Sequence, residues 1–263
     1  MTDILTLTEA DGIATVSLNR PDRKNAWVWD TFDGLADMAA QLATRDGLRA
    51  VILRGAGGCF SSGLDTSMFM EFAGDMDAVK AQMAVGNGPR GANRFQAPCV
   101  AWQDLPVPVI AAIDGVAYGA GMQLALAADF RIAAPDARLS IREAKWGLIP
   151  DMGLTQSLPK LLRADLAKDL IMTGRVLDAD VALGMGLITR IADDPHAAAQ
   201  AMAAELSARS PDAVRATKTM VEAAWATPDA LALEAALQAD LIGSPNQVEA
   251  VMAGMQNRPP KFR

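Results

Sequence analysis

Histidine is almost missing from this chain: of 263 residues only His196 is one. It follows Asp193-Asp194-Pro195, an acidic stretch that reads as a solvated loop, so a serine-histidine hydrolase would lack its base. Cysteine is scarce too. Cys59 and Cys99 have no metal-ligand spacing, which excludes a disulfide framework and a cysteine-based metal site and leaves two reduced thiols. No G-x-S-x-G elbow occurs, and Gly55-Ala56-Gly57-Gly58-Cys59-Phe60 misses the dinucleotide fingerprint because Phe60 stands where its last glycine belongs. Positive charge is in deficit. A net charge of -7 and a pI of about 4.8 exclude the basic surface that nucleic-acid partners need. No uncharged apolar run reaches membrane-spanning length, and Met1 to Glu9 carries acids where a signal peptide would be basic. The expectation is a cytoplasmic protein with no membrane partner.

What is present is apolar and periodic. A hydrophobic content of 51% over this length suits one large folded domain, or a domain with an appendage. Ile4 to Thr8 and Ile13 to Leu18 alternate with a period of two around Asp11-Gly12, which predicts a hairpin. Between Thr31 and Ala43 the residues Phe32, Leu35, Ala36, Met38, Ala39 and Leu42 recur at three- and four-residue steps, predicting an amphipathic helix. Arg49 to Arg54 and Val107 to Ile113 read as buried strands, each running into a glycine-rich turn. Met122 to Ala127 starts a helix, and Phe130 to Ala133 and Ala137 to Ile141 are further short strands. This alternation predicts an α/β body. From about Ser67 to Gln103 the pattern weakens, and 86–91 reads as a mobile loop. Beyond Asp194 the chain turns alanine-rich and helical, with Ser210-Pro211-Asp212 as a helix start and Met202, Leu206, Val248 and Met252 on apolar stripes.

Two stretches carry the chemistry. Cys59 to Asp65 and Asp114 to Gly121 each place small residues where an apolar run ends, so both can present bare amide N–H groups to one ligand oxygen. Between Ser140 and Gly153, Glu143 and Asp151 sit among apolar and glycine positions. Gly147 and Pro150 can fold the chain back so that both acids face one cleft, where a carboxylate becomes a usable proton-transfer group.

These segments resemble the crotonase superfamily of enoyl-CoA hydratases and isomerases. The matching stretches run in order through Asn19-Arg20-Pro21 to Asn25-Ala26, Phe60 to Asp65, Pro108 to Gly115, Gly119-Ala120-Gly121, Ala128 to Ala133, Thr173-Gly174-Arg175 and the tail Asn257 to Phe262. The resemblance implies a spiral of β-β-α units over residues 1–195, with a helical region over 196–263 that packs on the core and on neighbouring subunits as a trimer or a dimer of trimers. It implies an oxyanion hole made by the N–H groups of Leu64 and Ala120, holding the thioester carbonyl of an acyl-CoA. Coenzyme A would then be part of the substrate, with no separate cofactor and no metal. The CoA would lie along Arg23, Lys24, Ala26, Ser62 and Asp65, with Lys261 and Phe262 near the nucleotide. Met68, Phe69 and Phe72 would line the acyl pocket.

The two acids of the hydratases in that superfamily fall on Gln123 and Glu143. An amide orients water but transfers no proton near neutral pH. Asp151 matches instead the acid of dienoyl-CoA isomerase-like members. The sequence therefore leans toward double-bond isomerisation by Glu143 and Asp151. The alternatives are hydration by Glu143 with water positioned by Gln123, and acyl-CoA binding without catalysis.

Overall fold

The computed structural model describes residues 4–209, 211–223, 236, 238, 239 and 242–258. The chain opens with the expected hairpin, β1 (Leu5–Ala10) and β2 (Ile13–Leu18), registered Leu5 to Leu18 and Ala10 to Ile13. Asp11 and Gly12 turn it with φ of 53° and 75°, the pair of positive values that a tight hairpin with right-handed strand twist requires. Helix α1 (Trp29–Ala43) then buries Phe32, Leu35, Met38, Ala39 and Leu42, the face that its spacing foretold.

Strands β3 (Ala50–Gly55) and β4 (Val109–Ile113) enter the same sheet in parallel, and between them lie α2 (Ser67–Gly74), α3 (Met76–Ala84) and α4 (Ala97–Gln103). The region of weak pattern is thus helical. Its helices are short, and α2 and α3 are separated by a single residue, Asp75, whose side chain caps α3 by accepting from Ala78 N–H. The loop at 86–91, read as mobile, is tied down instead. Arg90 reaches Asp104 at 2.9 Å and Gln103 at 2.8 Å, and Gly88 N–H bonds to Ala92 C=O.

After β4 the chain runs through β5 (Val116–Tyr118), α5 (Ala120–Ala127), β6 (Phe130–Ala133) and β7 (Arg138–Ser140). It continues through α6 (Leu154–Ser157), α7 (Ala164–Thr173), β8 (Leu177–Asp178), α8 (Ala179–Met185) and β9 (Arg190–Ile191), then α9 (Pro195–Ser207), α10 (Pro211–Ala223) and α11 (Pro245–Met255). Among the described residues the strands form a six-stranded sheet ordered β1-β2-β3-β4-β6-β9 and a three-stranded one ordered β5-β7-β8. The chain thus alternates between sheets: β4 and β6 belong to the large one, and β5 and β7, which follow each at a corner, to the small one. That stepping is what winds a spiral.

The strands read as buried runs are covered on both faces. Val51, Leu53, Val109, Ala111 and Ile113 join the main core beside α1, whereas Ala50, Ile52, Ile110, Ala112 and Ile132 pack against Ala199, Met202 and Ala203 of α9. Helix α10 begins at Pro211, and its expected cap, Ser210, lies outside the described residues. No described helix is long and apolar enough to cross a membrane.

One buried side chain joins the segment after β2 to the turn after β3. Asn25, 2% exposed, donates to the carbonyls of Ala56 at 3.0 Å and Cys59 at 2.6 Å and accepts from Arg20 N–H at 2.8 Å. Replacing it strands those groups away from water, so Asn25→Ala is expected to destabilise the fold by about 3 kcal/mol. Urea unfolding checks this, and an unmoved midpoint would show that the network adds nothing to stability.

Candidate active site

The two glycine-bearing turns come together through the main chain. Ser61 N–H bonds to Val116 C=O at 2.9 Å, Tyr118 N–H to Ser61 C=O at 3.0 Å, and Phe60 N–H to Asp114 C=O at 2.8 Å. They pair as a short parallel bridge between Ser61 and Ala117. Such an approach leaves no room for side chains at the crossing points. A Cβ on Gly63 (φ 95°) would lie 2.7 Å from Tyr118 C=O, and one on Gly121 would lie 2.5 Å from the Ser61 Cβ. Gly119, at φ 50° and ψ -120°, makes the corner that starts α5.

Neither the Leu64 N–H nor the Ala120 N–H has an acceptor among the described residues. Ala120 is the first residue of α5, where the four leading N–H groups have no partner within the helix. Both residues line one cavity of about 570 Å³, which Glu143 and Asp151 also line. Arg23, Ala26, Ser62, Asp65, Phe69 and Phe72 border it as well.

Strand β7 ends at Ser140, and Glu143 opens a 3-10 turn, Glu143–Trp146, closed by Gly147 at φ 71°. Its Oε1 would lie 3.5 Å from a Cβ on Gly119, so the carboxylate stands beside the Ala120 turn. Gln123, 2% exposed and on α5, holds it there: Nε2 donates to Glu143 Oε1 at 2.7 Å, and Oε1 accepts from Met152 N–H at 2.9 Å. Gln123 does not line the cavity. Its expected task of positioning water is therefore corrected: both ends of the amide are committed to protein, and it orients Glu143 while pinning the Asp151-Met152 turn.

Asp65 has a similar structural engagement. Burial disfavours its charge, but hydrogen bonds from the Ser67 N–H and hydroxyl, together with Arg20 at 3.1 Å, hold its carboxyl below the usual aspartate range. Lys24 is exposed, has left-handed backbone (φ 49°) and lies off the cavity; its carbonyl accepts from Ser62 N–H at 2.9 Å. Met68 is a further correction. It is fully buried and does not line the cavity, because one helical step of about 100° turns it away from the side that Phe69 and Phe72 present. Lys261 and Phe262 lie outside the described residues.

Sequence reasoning missed several walls. Tyr118, Arg142 and Trp146 line the cavity beside the acids, Met76 and Phe95 lie on its apolar side, and Met252 reaches it from α11. Met252 showed only as a member of an apolar stripe, since its partners are more than a hundred positions away.

Residues 8–263 match the enoyl-CoA hydratase/isomerase family. This chain belongs to that family. Mouse mitochondrial methylglutaconyl-CoA hydratase is 31% identical over 264 residues, covering 97% of this chain and 81% of the mouse protein. A probable enoyl-CoA hydratase of Mycobacterium bovis is 32% identical over 257 residues, covering 98% of each. The crystal structure of an enoyl-CoA hydratase from Mycobacterium avium subsp. paratuberculosis K-10 superposes with a TM-score of 0.85 at 30% identity, covering 99% of this chain and 98% of that one. The architecture is the crotonase fold.

In this enoyl-CoA hydratase/isomerase family member the closeness of the two turns depends on Gly121. Gly121→Ala inserts a methyl against Ser61 and drives the turns apart, so kcat/KM is expected to fall at least about tenfold, because oxyanion donors work only at hydrogen-bond distance. Steady-state kinetics with an enoyl-CoA check this, and wild-type kinetics in the variant would mean that the spacing is not critical.

Proposed function

We propose that this protein hydrates 2-enoyl-CoA thioesters through an enolate held by the N–H groups of Leu64 and Ala120. The observation that carries the reading is that Leu64 and Ala120, whose N–H groups have no acceptor among the described residues, line the same cavity as Glu143. The thioester carbonyl oxygen would lie between them, where negative charge develops as a nucleophile adds at Cβ. Each such donor lowers the barrier by roughly 3 kcal/mol. Arg23, Ala26 and Ser62 border the route that the CoA would take, with the charge of Arg23 toward its phosphates.

Glu143 would take a proton from water as the water oxygen bonds to Cβ and the π electrons move onto the thioester oxygen. The enolate then collapses, and Glu143 returns that proton to Cα. One carboxylate acts twice, which accommodates the amide at Gln123: it transfers no proton, but its 2.7 Å bond aims the carboxylate. Relatives named as hydratases support this over the isomerisation that the acid pair suggested.

A second reading keeps the isomerase. Asp151 borders the same cavity as Glu143, and two carboxylates on one conjugated acyl chain could shuttle a proton between its ends. Incubation with crotonyl-CoA is expected to remove the absorbance of the conjugated thioester and yield 3-hydroxybutyryl-CoA, with a 3,5-dienoyl-CoA unchanged; the opposite pattern would replace hydration with isomerisation. Glu143→Gln is expected to lower kcat by about 10² to 10⁴ while CoA binding persists, and Asp151→Asn to lower hydration less than about tenfold. A severe loss in the aspartate variant alone would exchange the two roles.

A further inference from the structure

Among the described residues eight arginines are paired with carboxylates: Arg20 with Asp65, Arg45 with Glu9, Arg90 with Asp104, Arg94 with Asp33, Arg138 with Asp178, Arg163 with Asp165, Arg175 with Asp169 and Arg258 with Glu249. Arg142 is not. It is half-buried, it lines the cavity next to Glu143, and no described residue gives its guanidinium a hydrogen bond or an ion pair. Its guanidinium carbon instead lies 4.8 Å from the ring centroid of Tyr118, which borders the same cavity. A shortage of acids is not the reason, since the chain has 31 acidic residues against 24 basic ones.

A guanidinium cannot shed its charge, and a half-buried cation without a counter-ion is costly. Stacking on a ring offsets part of that cost and fixes the plane of the group, while the N–H edge stays available. That edge is a fork matched to a carboxylate. The position is close to the proposed reaction centre: Tyr118 directly precedes Gly119 of the oxyanion turn, and Arg142 directly precedes Glu143. The aromatic lining residues Phe69, Phe72 and Phe95 are apolar and offer an anion nothing. Arg23, on the segment beside the proposed CoA route, already supplies charge for the phosphates.

We infer that Arg142, stacked on Tyr118, binds a carboxylate carried by the acyl chain, so that the preferred substrates are enoyl-CoA thioesters of dicarboxylic acids. The inference deepens the hydratase reading and rests on it for the reaction, but not for the binding.

The test compares 2-enoyl-CoA thioesters matched in length and ending in a methyl or a carboxylate. Wild-type protein is expected to favour the carboxylated series at least about tenfold in kcat/KM, and Arg142→Met to lower that preference about tenfold, chiefly through KM, with Arg142→Lys in between. Calorimetric binding of the saturated counterparts and of CoA alone separates the inference from the reaction. If no thioester is turned over but the carboxylated ligand binds tighter and loses that advantage in Arg142→Met, the hydratase reading fails and the carboxylate site stands. Equal affinity of wild-type protein for the two series overturns it, whatever the variants do. So does a variant that weakens CoA as much as the carboxylated thioester, which would assign the guanidinium to a CoA phosphate.

Discussion

The parallel bridge between Ser61 and Ala117 is the contact on which the rest of the site depends. It brings a turn after β3 and a turn after β4 within main-chain hydrogen-bond distance, so that the Leu64 and Ala120 N–H groups share a cavity. Contact this close excludes side chains, and the glycines at 63 and 121 follow from it, whereas Gly119 is required by its positive φ of 50°. The bridge is itself braced. The Ser61 hydroxyl donates to Asn25 C=O at 2.8 Å and accepts from Gly63 N–H at 3.2 Å, so the segment carrying Asn25 and the turn carrying Leu64 move as one unit. A site made of backbone amides gains from this rigidity, because donors that are already oriented need no reorganisation when charge appears.

A second constraint sets the acids. Gln123 lies on α5, whose first N–H is the proposed oxyanion donor, and its side chain joins the Glu143 carboxylate to the main chain at Met152. Three separate stretches are thereby referred to one helix: the proposed amide donor, the carboxylate of Glu143 and the turn that carries Asp151. A glutamate at 123 would be a titratable group, which an amide is not. The amide gives that up and in return fixes the carboxylate without adding a second negative charge 2.7 Å away, which like-charge repulsion would oppose.

Much of this was legible in the sequence because the physics is local. The hairpin at Asp11-Gly12, the face of α1 and the strands β3 and β4 follow from periodicity and turn chemistry within a few residues. The two catalytic turns were legible for the same reason: small residues at a strand end mark a backbone approached closely. The fold-back of Glu143 and Asp151 onto one cavity was readable from Gly147 and Pro150. What escaped was non-local. Gln123 looked like a lost acid because nothing in its neighbourhood announces a bond to residue 143 or to residue 152. Met68 looked like pocket lining because it adjoins Phe69, yet a single helical step separates cavity from core. The helices between Ser67 and Gln103 escaped because they are too short for a clear period, and their order depends on partners such as Asp104, which holds Arg90.

The pairing of charges follows the same division between structure and chemistry. Where a carboxylate serves the scaffold, its partners are supplied: hydrogen bonds from Ser67, joined by Arg20, hold Asp65 below its ordinary range, and Lys218 meets Asp129 at 2.8 Å, offsetting in part a burial that pushes that carboxyl's pKa up. Around the cavity the logic reverses. Leu64 and Ala120 present N–H groups that have no acceptor among the described residues, and the Arg142 guanidinium lies against the Tyr118 ring rather than on a described carboxylate, although Asp65, Glu143 and Asp151 border the same cavity. Uncompensated donors in a partly dry cavity raise the free energy of the empty site, and a ligand that brings negative charge to those same points relieves it. The proposed oxyanion donors and the proposed carboxylate site would then draw on the same preference for negative charge at those points.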